Sequence, residues 1–304
     1  MKVQFVSEKY PPAAGGAEKS IHNLLLYLNN KGFEISIATK HKSKRKNWKS
    51  PLKPSIVEIS DIKEIENKIL AFQPDVIFTQ IDWKNEVISL ARKHKIPSVF
   101  FSRVEDINFN ADLIVFNSKS VRNRWTKKYP YIKSFSTVLY PTINKDDMCE
   151  IPTINGDKIL CINPVRAKGG KLIRKIALAL PDFKFLATIG WCHPNSDGVD
   201  LRSIKNIEII KPIKFQKLCN RSYLLLMPSV WPEPFGRVIV EAMSCGLPVI
   251  ATKVGGIPEA MGGAGILINK KADPKVWTEK IIKLYRDKNF YQKHRIKSLK
   301  RAKL

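Results

Sequence analysis

Two carboxylates stand in a segment that otherwise has the composition of a buried strand and a packed helix. The segment reads "WPEPFGRVIVEAMSCGLPVIATKVGGIPE", residues 231–259; Glu233 lies there between two prolines, and Glu241 follows eight positions later. A carboxylate accepts two hydrogen bonds from neighbouring hydroxyl groups, whereas it repels a phosphate. The two acids therefore suit a ligand that carries hydroxyl-rich groups on both sides of a central phosphate.

The backbone next to Glu233 can hold that phosphate. Gly236 has no side chain, so a ligand can approach its backbone, and a helix predicted over 236–245 presents free N–H groups at residues 236–239. The preceding "YLLLMPS" predicts a strand, and open α/β sheets bind ligands beyond the carboxyl ends of parallel strands. The alternative is structural: Glu233 caps a helix, and Glu241 forms a surface ion pair with Arg237.

The elements that must position these residues alternate between strands and helices, which predicts parallel sheets with crossover helices. In the first half, apolar runs predict strands at 3–6, 33–39, 74–80, 97–102 and 111–118. Ile21, Leu24, Leu25 and Leu28 have helical spacing, and Lys31-Gly32 closes that helix. A second helix is expected near 83–94, and Ser118 is placed to cap a third that begins near Lys119.

The alternation restarts after a stretch at residues 140–156 that is rich in polar residues and lacks periodicity, which marks a domain boundary. Strands are expected at 158–163, 183–190, 206–210, 223–229, 248–252 and 265–268, and helices at 168–180, 214–221, 236–245 and 274–287, with a basic helical tail at 293–304. The fold class is therefore α/β, with two consecutive doubly wound Rossmann-like domains, 1–141 and 142–304, facing a cleft.

The composition restricts the partners and the compartment. The 304 residues carry a net charge of +26, which favours phosphorylated molecules, anionic lipid surfaces or nucleic acid as partners. Six of the ten residues 40–49 are Lys or Arg, and they accompany Trp48, a composition that fits either a loop at a lipid surface or a solvated loop. The five cysteines form no CxxC pair, which predicts reduced thiols in a cytoplasmic protein. No apolar run approaches the ~20 residues of a membrane span, so membrane contact is expected to be peripheral, at the inner face.

The stretch 231–259 closely resembles the donor-binding signature of family 4 glycosyltransferases, which have the GT-B fold. That signature is an acid, seven residues and a second acid, followed by "GxPVIAT" and "GGIPE". Further stretches resemble the same family: "PPAAGGAEKSIHNLLLYLNNKGFEISIAT", "ADLIVFNSKSVRNRW", "VLYPTIN" and "INPVRAKGG". The resemblance thus covers nearly the whole chain.

The resemblance implies that a sugar is transferred from a nucleotide-sugar to a glycan or lipid-linked acceptor with retention of configuration. It implies no required metal and no cofactor beyond the donor, and it makes the first domain the acceptor side. Glu233 would contact the donor sugar, Glu241 would hold the ribose hydroxyls, and Lys168 would bind the diphosphate. The other donor-binding positions implied by the match are Gly15, Gly16, Arg166, Phe235, Gly236, Arg237 and Val238.

The chain departs from the family pattern at two positions. The family usually has an arginine five or six residues before the lysine, where this chain has Ile162 and Asn163; Arg166 or Lys171 is left to supply the second cation. The family often has a histidine where this chain has Arg103, and an arginine cannot act as a base near neutral pH. Arg103 can instead bind a phosphate on the leaving group or on the acceptor. The catalytic candidates are thus Glu233, Lys168 and Arg103.

Two other classes of function remain open at this stage. The first is another enzyme on the same fold, such as a sugar phosphorylase or a nucleotide-sugar epimerase. The second is a non-catalytic basic binding protein, although no nucleic-acid motif is present and no nucleic-acid partner is expected. Cys192 and His193 have no second pair in range, so a metal site is not expected either. Glu105 and Asp106, close to Arg103, can be a polar loop or take part in the site.

Overall fold

The computed structural model describes residues 1–11, 15–40, 56–58, 61–81, 84–103, 111–131, 134–143, 148–149, 156–188 and 199–303. The chain forms two compact units, Met1–Thr142 and Ile143–Leu304. Most of the basic loop at 40–49, the pair Glu105 and Asp106, and the pair Cys192 and His193 lie outside the described ranges. Their predicted roles therefore stay predictions.

The first unit is a parallel sheet whose described strands run in the order β3-β2-β1-β4-β5-β6-β7. The strands are β1 (Lys2–Ser7), β2 (Glu34–Thr39), β3 (Ile56–Glu58), β4 (Val76–Gln80), β5 (Ser98–Ser102), β6 (Leu113–Phe116) and β7 (Phe135–Val138). The helices are α1 (Gly16–Asn30), α2 (Ile62–Phe72), α3 (Lys84–Lys93) and α4 (Lys119–Lys128). The order reverses between β1 and β4, as in a doubly wound fold.

Local chemistry explains several of these elements. Ile21 and Leu25, one turn apart on α1, are buried in a cluster with Val3 and Phe5 of β1. The hydroxyl of Ser118 accepts a hydrogen bond from the Val121 N–H at 3.0 Å, which confirms the predicted cap of α4. The sequence reasoning missed β3, α2 and β7.

The second unit is also a parallel sheet, and its described strands run in the order β10-β9-β8-β11-β12-β13. The strands are β8 (Lys158–Ile162), β9 (Phe185–Thr188), β10 (Ile207–Ile210), β11 (Ser222–Met227), β12 (Val249–Thr252) and β13 (Ile266–Ile268). The helices are α5 (Gly170–Ala179), α6 (Phe215–Asn220), α7 (Arg237–Ser244), α8 (Ile257–Met261), α9 (Pro274–Arg286) and α10 (Lys288–Ala302). The predicted fold class, two doubly wound α/β units, is confirmed.

Apolar clusters cover both faces of the second sheet. On one face Ile159 and Phe185 pack with Trp277 of α9, and on the other Leu160 and Leu225 pack with residues of α7. Because both faces are covered, the strands are continuous apolar runs rather than alternating ones. The predicted tail helix is present as α10, which packs on α7, the helix that carries Glu241. No helix within the described ranges combines the length and apolar character that crossing a bilayer requires.

The segment before α5 differs from the expected continuous helix over 168–180. A short 3-10 helix, Arg166–Lys168, comes first, and Gly169, with φ 81°, separates it from α5. A side chain at Gly169 would overlap the carbonyl oxygen of Pro228. Because Gly169 has no side chain, the loop after β8 can approach Pro228 in the loop after β11.

The cysteine prediction was wrong for one pair. Cys149 and Cys245, 96 residues apart in the chain, form a disulfide, and the backbone N–H of Cys149 donates to the hydroxyl of Ser244. Cys161 and Cys219 are buried thiols. Sequence spacing identifies only local pairs such as CxxC, so this long-range pairing left no signal. The disulfide also removes the cysteine-based argument for a reducing compartment.

Candidate active site

The loops after β8 and β11 meet where the strand order of the second sheet reverses. The backbone N–H groups of Val230 and Trp231 both donate to the carbonyl oxygen of Ala167, each at 3.0 Å. These bonds fix the loop that carries Glu233 against the 3-10 helix that carries Lys168. A reversal of strand order opens a crevice at the carboxyl edge of a parallel sheet, where doubly wound folds bind ligands.

The loop after β12 supports Glu233 from another side. The N–H of Gly256 donates to the carbonyl oxygen of Glu233 at 2.7 Å. A side chain at Gly255 would collide with the backbone of Pro232 and Glu233, and one at Gly256 would collide with Pro234. The two glycines of "GGIPE" thus permit a close backbone approach that orients the acid.

Lys168 and Glu233 form an ion pair through Nζ and Oε1. The same carboxylate oxygen accepts a hydrogen bond from the hydroxyl of Ser229 at 3.0 Å. Glu233 is 5% exposed, whereas the side chain of Lys168 retains 26% of its exposure. An ammonium has three N–H donors, so Lys168 can hold Glu233 and bind an anion from solvent at the same time.

Arg237 and Glu241 form a second ion pair, one turn apart on α7. The Nε and Nη2 atoms of Arg237 lie 3.2 and 3.1 Å from Oε1 of Glu241. The structural alternative predicted this ion pair at the surface. The pair is present, but both of its residues are buried. Removing one partner of such a pair leaves a buried charge uncompensated. Glu241 therefore has a structural role in α7, whichever ligand it binds.

The residues between the two pairs form the start of α7. Phe235 is buried in the apolar cluster beneath the helix, and Val238 is half-buried against the same cluster. Gly236 precedes the helix with φ 99°, in the left-handed region that favours glycine. The backbone here has the form expected for an anion site at a helix N-terminus, with Lys168 nearby in the fold.

The two positions where an arginine was expected, and the candidates for the second cation, lie at the end of β8 and just after it. Arg166 is exposed, in the same 3-10 helix as Lys168. Ile162 ends β8 half-buried, and Asn163, which follows it, is buried with φ 48°. Lys171 is exposed in the first turn of α5. Arg166 and Lys171 both remain candidates for the second cation.

Gly15 and Gly16 lie in the first unit, at the start of α1, where the resemblance implies a diphosphate. The carboxylate of Glu18 already occupies the space that a side chain at Gly15 would take. Glu18 is buried in the first turn of the helix, where the helix dipole favours an acid. A phosphate at Gly15 therefore requires Glu18 to turn away.

Arg103 also lies in the first unit, directly after β5. Its Nε donates to Oε1 of Gln80 at 3.2 Å, and its guanidinium carbon lies 5.7 Å from the ring centroid of Phe101. Gln80 at the end of β4 and Phe101 of β5 thus hold the side chain of Arg103 in place. The structure does not describe the adjacent acids Glu105 and Asp106.

Residues 172–287, all in the second unit, match the family model described as "Glycosyl transferases group 1". An uncharacterized glycosyltransferase of Methanocaldococcus jannaschii is 28% identical over 202 residues, which cover 64% of this chain and 55% of that protein. The second unit thus carries a group 1 glycosyltransferase domain.

Solved structures show the same fold over nearly the whole chain. A glycosyltransferase from Rickettsia africae superposes with a TM-score of 0.81 at 18% identity and covers 99% of this chain and 93% of its own. An Anabaena protein crystallised with UDP-glucose superposes with a TM-score of 0.76 at 17% identity and covers 100% of this chain and 94% of its own. This glycosyltransferase has the GT-B fold.

In this glycosyltransferase, several residues around Glu233 were not singled out from the sequence. They are Ser229, which donates to the acid, Ala167, whose carbonyl joins the two loops, and Gly255 and Gly256, which receive the backbone of 232–236. The two glycines gave a usable signal, since paired glycines in the loop after a strand indicate a turn or a close backbone approach. Ser229 and Ala167 act through tertiary contacts that spacing does not reveal.

The cysteines close to this site are not nucleophiles. Burial raises the pKa of the Cys219 thiol, and the negative charge of Glu241 raises that pKa further. Burial likewise raises the pKa of Cys161. Both thiols stay protonated near neutral pH, and a thiol is a poor nucleophile compared with a thiolate. Over the ranges that the structure describes, no group of three or more His, Cys, Asp or Glu side chains is arranged to hold a metal ion.

Proposed function

We propose that this glycosyltransferase moves a sugar from a nucleotide-sugar to a glycan or lipid-linked acceptor, with retention of configuration and without a metal ion. The observation that carries the proposal is the Lys168–Glu233 pair beside the start of α7. A cation, the N-terminus of a helix and a fixed carboxylate stand together there, and a nucleotide-sugar needs each of them.

The charge that develops during the reaction matches these groups. When the bond to the sugar breaks, the nucleoside diphosphate gains negative charge, which Lys168 and the N–H groups at the start of α7 stabilise. Glu233, held by Ser229 and Lys168, orients the hydroxyl groups of the transferred sugar. Glu241 holds the ribose hydroxyls. Fixed donors reorganise little during the reaction, which is the main source of their effect.

Retention and independence of metal follow from the same chemistry. The cations replace a metal ion in stabilising the diphosphate. The leaving phosphate can accept the proton of the attacking hydroxyl on the face from which it departs, so no side-chain base is needed. This route accommodates Arg103, which cannot take up a proton near neutral pH.

The charge of the chain supports the proposed acceptor class and location. A net charge of +26 attracts anionic partners, an anionic lipid surface among them, so we propose peripheral contact with a membrane during the synthesis of a surface polysaccharide or glycolipid. The finding that the Anabaena neighbour was crystallised with UDP-glucose supports a nucleotide-sugar as the donor.

A thermal-shift panel tests the proposal. UDP, GDP and ADP, and one nucleotide-sugar of each, are titrated against the protein; one of them should stabilise it by about 2.7 kcal/mol at 100 times its dissociation constant. Glu241→Gln should lose this response, and Glu279→Gln, an exposed acid on α9, should keep it. No response to any nucleotide would contradict the proposal. Sugar release from a glycan with inorganic phosphate, but none with a nucleotide, would identify a phosphorylase instead.

A further inference from the structure

The last helix, α10, carries a concentration of positive charge that the donor site does not use. Residues 288–302 include six Lys or Arg and no Asp or Glu. Like charges one turn apart destabilise a helix, and Lys297 has this spacing from both Lys293 and Lys300. The charges of α10 therefore do not stabilise the helix itself, which depends on its contacts with the rest of the second unit.

Tertiary contacts fix one face of α10 against the second unit. Tyr291 is 5% exposed, and its hydroxyl donates to the carbonyl oxygen of Tyr223 at 3.1 Å. Near the other end of the helix, Nε and Nη2 of Arg301 donate to the carbonyl oxygens of Ala260 and Glu259, at 3.0 and 3.1 Å. Because these bonds lie near both ends of α10, the helix cannot turn about its axis, and its opposite face is a fixed surface.

The opposite face presents three lysines around one isoleucine, which we call the lysine stripe: Lys293, Ile296, Lys297 and Lys300. Ile296 is 50% exposed, and the three lysines are exposed as well. The members of the stripe are separated by three or four residues, which places their side chains on one face of an α-helix. Within the part of the chain that the structure describes, the three lysines form no ion pair. Their charge is thus available to an anionic partner.

The combination of cations with an apolar side chain fits a lipid surface. Lysines on a helix can lay their apolar stems along a bilayer interface and place their ammonium groups beside lipid phosphates. Ile296, between the lysines, adds an apolar contact that a bilayer interface accepts. A nucleic-acid backbone would also attract the cations, but it offers no apolar region for Ile296. The stripe therefore favours an anionic bilayer over nucleic acid.

We propose that the lysine stripe of α10 is the surface through which the second unit adsorbs to an anionic lipid bilayer. The inference rests on the proposed function and deepens it, because it assigns the peripheral membrane contact to a named surface. Three lysines and one isoleucine supply mainly electrostatic attraction, so the contact is reversible and weakens as salt is added. It concentrates the enzyme where a lipid-linked acceptor resides.

Co-sedimentation of the whole protein with vesicles tests the proposal. Vesicles of phosphatidylcholine alone are compared with vesicles in which about one third of the lipid is phosphatidylglycerol, which should bind the protein at least tenfold more strongly at low salt. Lys293→Gln/Lys297→Gln/Lys300→Gln should weaken binding to the anionic vesicles by roughly 100-fold, since each cation near the surface contributes about fivefold. Equal binding to both kinds of vesicle, or binding of the triple variant within about twofold of the unsubstituted protein, would overturn the proposal.

A matched variant separates the stripe from the net charge of the chain. Arg174→Gln/Lys175→Gln/Lys205→Gln removes the same charge from exposed positions on α5 and before β10. These positions are outside the stripe, so vesicle binding should fall by less than about threefold. A loss as large as that of the stripe variant would mean that overall charge attracts the protein to the lipid, which contradicts the proposal.

The isoleucine of the stripe distinguishes a bilayer from nucleic acid. Ile296→Ser should weaken vesicle binding about threefold because it removes an apolar contact. Leu178→Ser, at a position on α5 that is 54% exposed, should not weaken it. A DNA duplex is tested in parallel. Duplex binding that falls in the triple stripe variant while vesicle binding persists would assign the stripe to nucleic acid and overturn the proposal.

Nucleotide binding is measured on the same proteins by thermal shift. The triple stripe variant should respond to nucleotides and nucleotide-sugars as the unsubstituted protein does, because the stripe contains none of the donor-site residues. Failure of every nucleotide to bind the unsubstituted protein contradicts the proposed function. Vesicle binding that does not depend on the stripe contradicts this inference alone.

Discussion

Lys168 and Glu233 form an ion pair although 65 residues separate them in the chain. They meet because β8 and β11, the strands that precede them, are neighbours in the sheet at the point where the strand order reverses. The topology of the sheet thus brings together two opposite charges that are distant in the chain. A cation that is partly open to solvent lies against an acid that is almost fully buried.

Substitution of the two partners should have unequal effects on stability. Glu233→Gln keeps an oxygen that accepts from Lys168 and Ser229, so the fold should lose little. Lys168→Met leaves the buried charge of Glu233 without its cation and should destabilise the second unit by about 3 kcal/mol. Denaturant unfolding measures both, with Lys175→Met, an exposed position on α5, as the control. Both variants should lower the rate of nucleoside diphosphate release about 100-fold. Equal stability of Glu233→Gln and Lys168→Met would show that the pair has no structural role.

The Arg237–Glu241 pair allows its structural role to be separated from its role in binding. Glu241→Leu alone leaves Arg237 charged and buried, which should cost about 3–5 kcal/mol. The double variant Arg237→Met/Glu241→Leu replaces the pair with apolar side chains and should recover most of that stability. Neither variant should bind a nucleotide by calorimetry, because the ribose hydroxyls lose their acceptor. Recovery of nucleotide binding in the double variant would show that Glu241 does not bind the ribose hydroxyls.

Gly255 should be intolerant of a side chain because of collision as well as strain. Gly255→Ala would push against Pro232 and Glu233, whereas Gly263, which also has positive φ, has open space around it. Gly263→Ala therefore measures the cost of backbone strain, about 1 kcal/mol or more. We expect Gly255→Ala to cost more than this control in thermal unfolding and to weaken nucleotide binding, which Gly263→Ala should leave unchanged. Matching losses in the two variants would mean that the approach to Glu233 is not critical.

The Cys149–Cys245 disulfide should stabilise the second unit. A bridge across this 96-residue separation typically contributes about 2–4 kcal/mol, mostly by restricting the unfolded chain. Cys149→Ser should lose that amount, and a reductant should impose the same loss on the unsubstituted protein but not on the variant. Peptide mass mapping without reductant should find the two cysteines linked. Full alkylation of all five cysteines under those conditions would restore the prediction of reduced thiols.

The sequence predicts the alternating elements well because both sheets have covered faces, so most strands are short apolar runs between polar loops. It failed at β7, where Phe135 is 82% exposed and the edge strand lacks that pattern. It also passed over α2, although Asp61 caps that helix and Ile65 and Ile69 have helical spacing. Those signals were present in the chain.

The candidate site was predicted residue by residue but not as an arrangement. The motif identified Glu233, Glu241 and Lys168, yet it gave neither the pairing of Lys168 with Glu233 nor that of Arg237 with Glu241 as a buried contact. The position of the Glu18 carboxylate, in the space that a side chain at Gly15 would take, was not predicted either. Such contacts depend on which loops the topology brings together and on rotamers chosen by packing, and neither can be read from spacing.

The configuration of the transferred sugar tests the central claim most directly. The protein is incubated with α-linked nucleotide-sugars, candidate acceptors and EDTA, and proton NMR follows the anomeric signals of the first product. We predict an α-linked product with release of the nucleoside diphosphate at a rate that EDTA does not change. A β-linked product, a rate that collapses with EDTA, or no release from any nucleotide-sugar would contradict retaining, metal-independent transfer at Lys168 and Glu233.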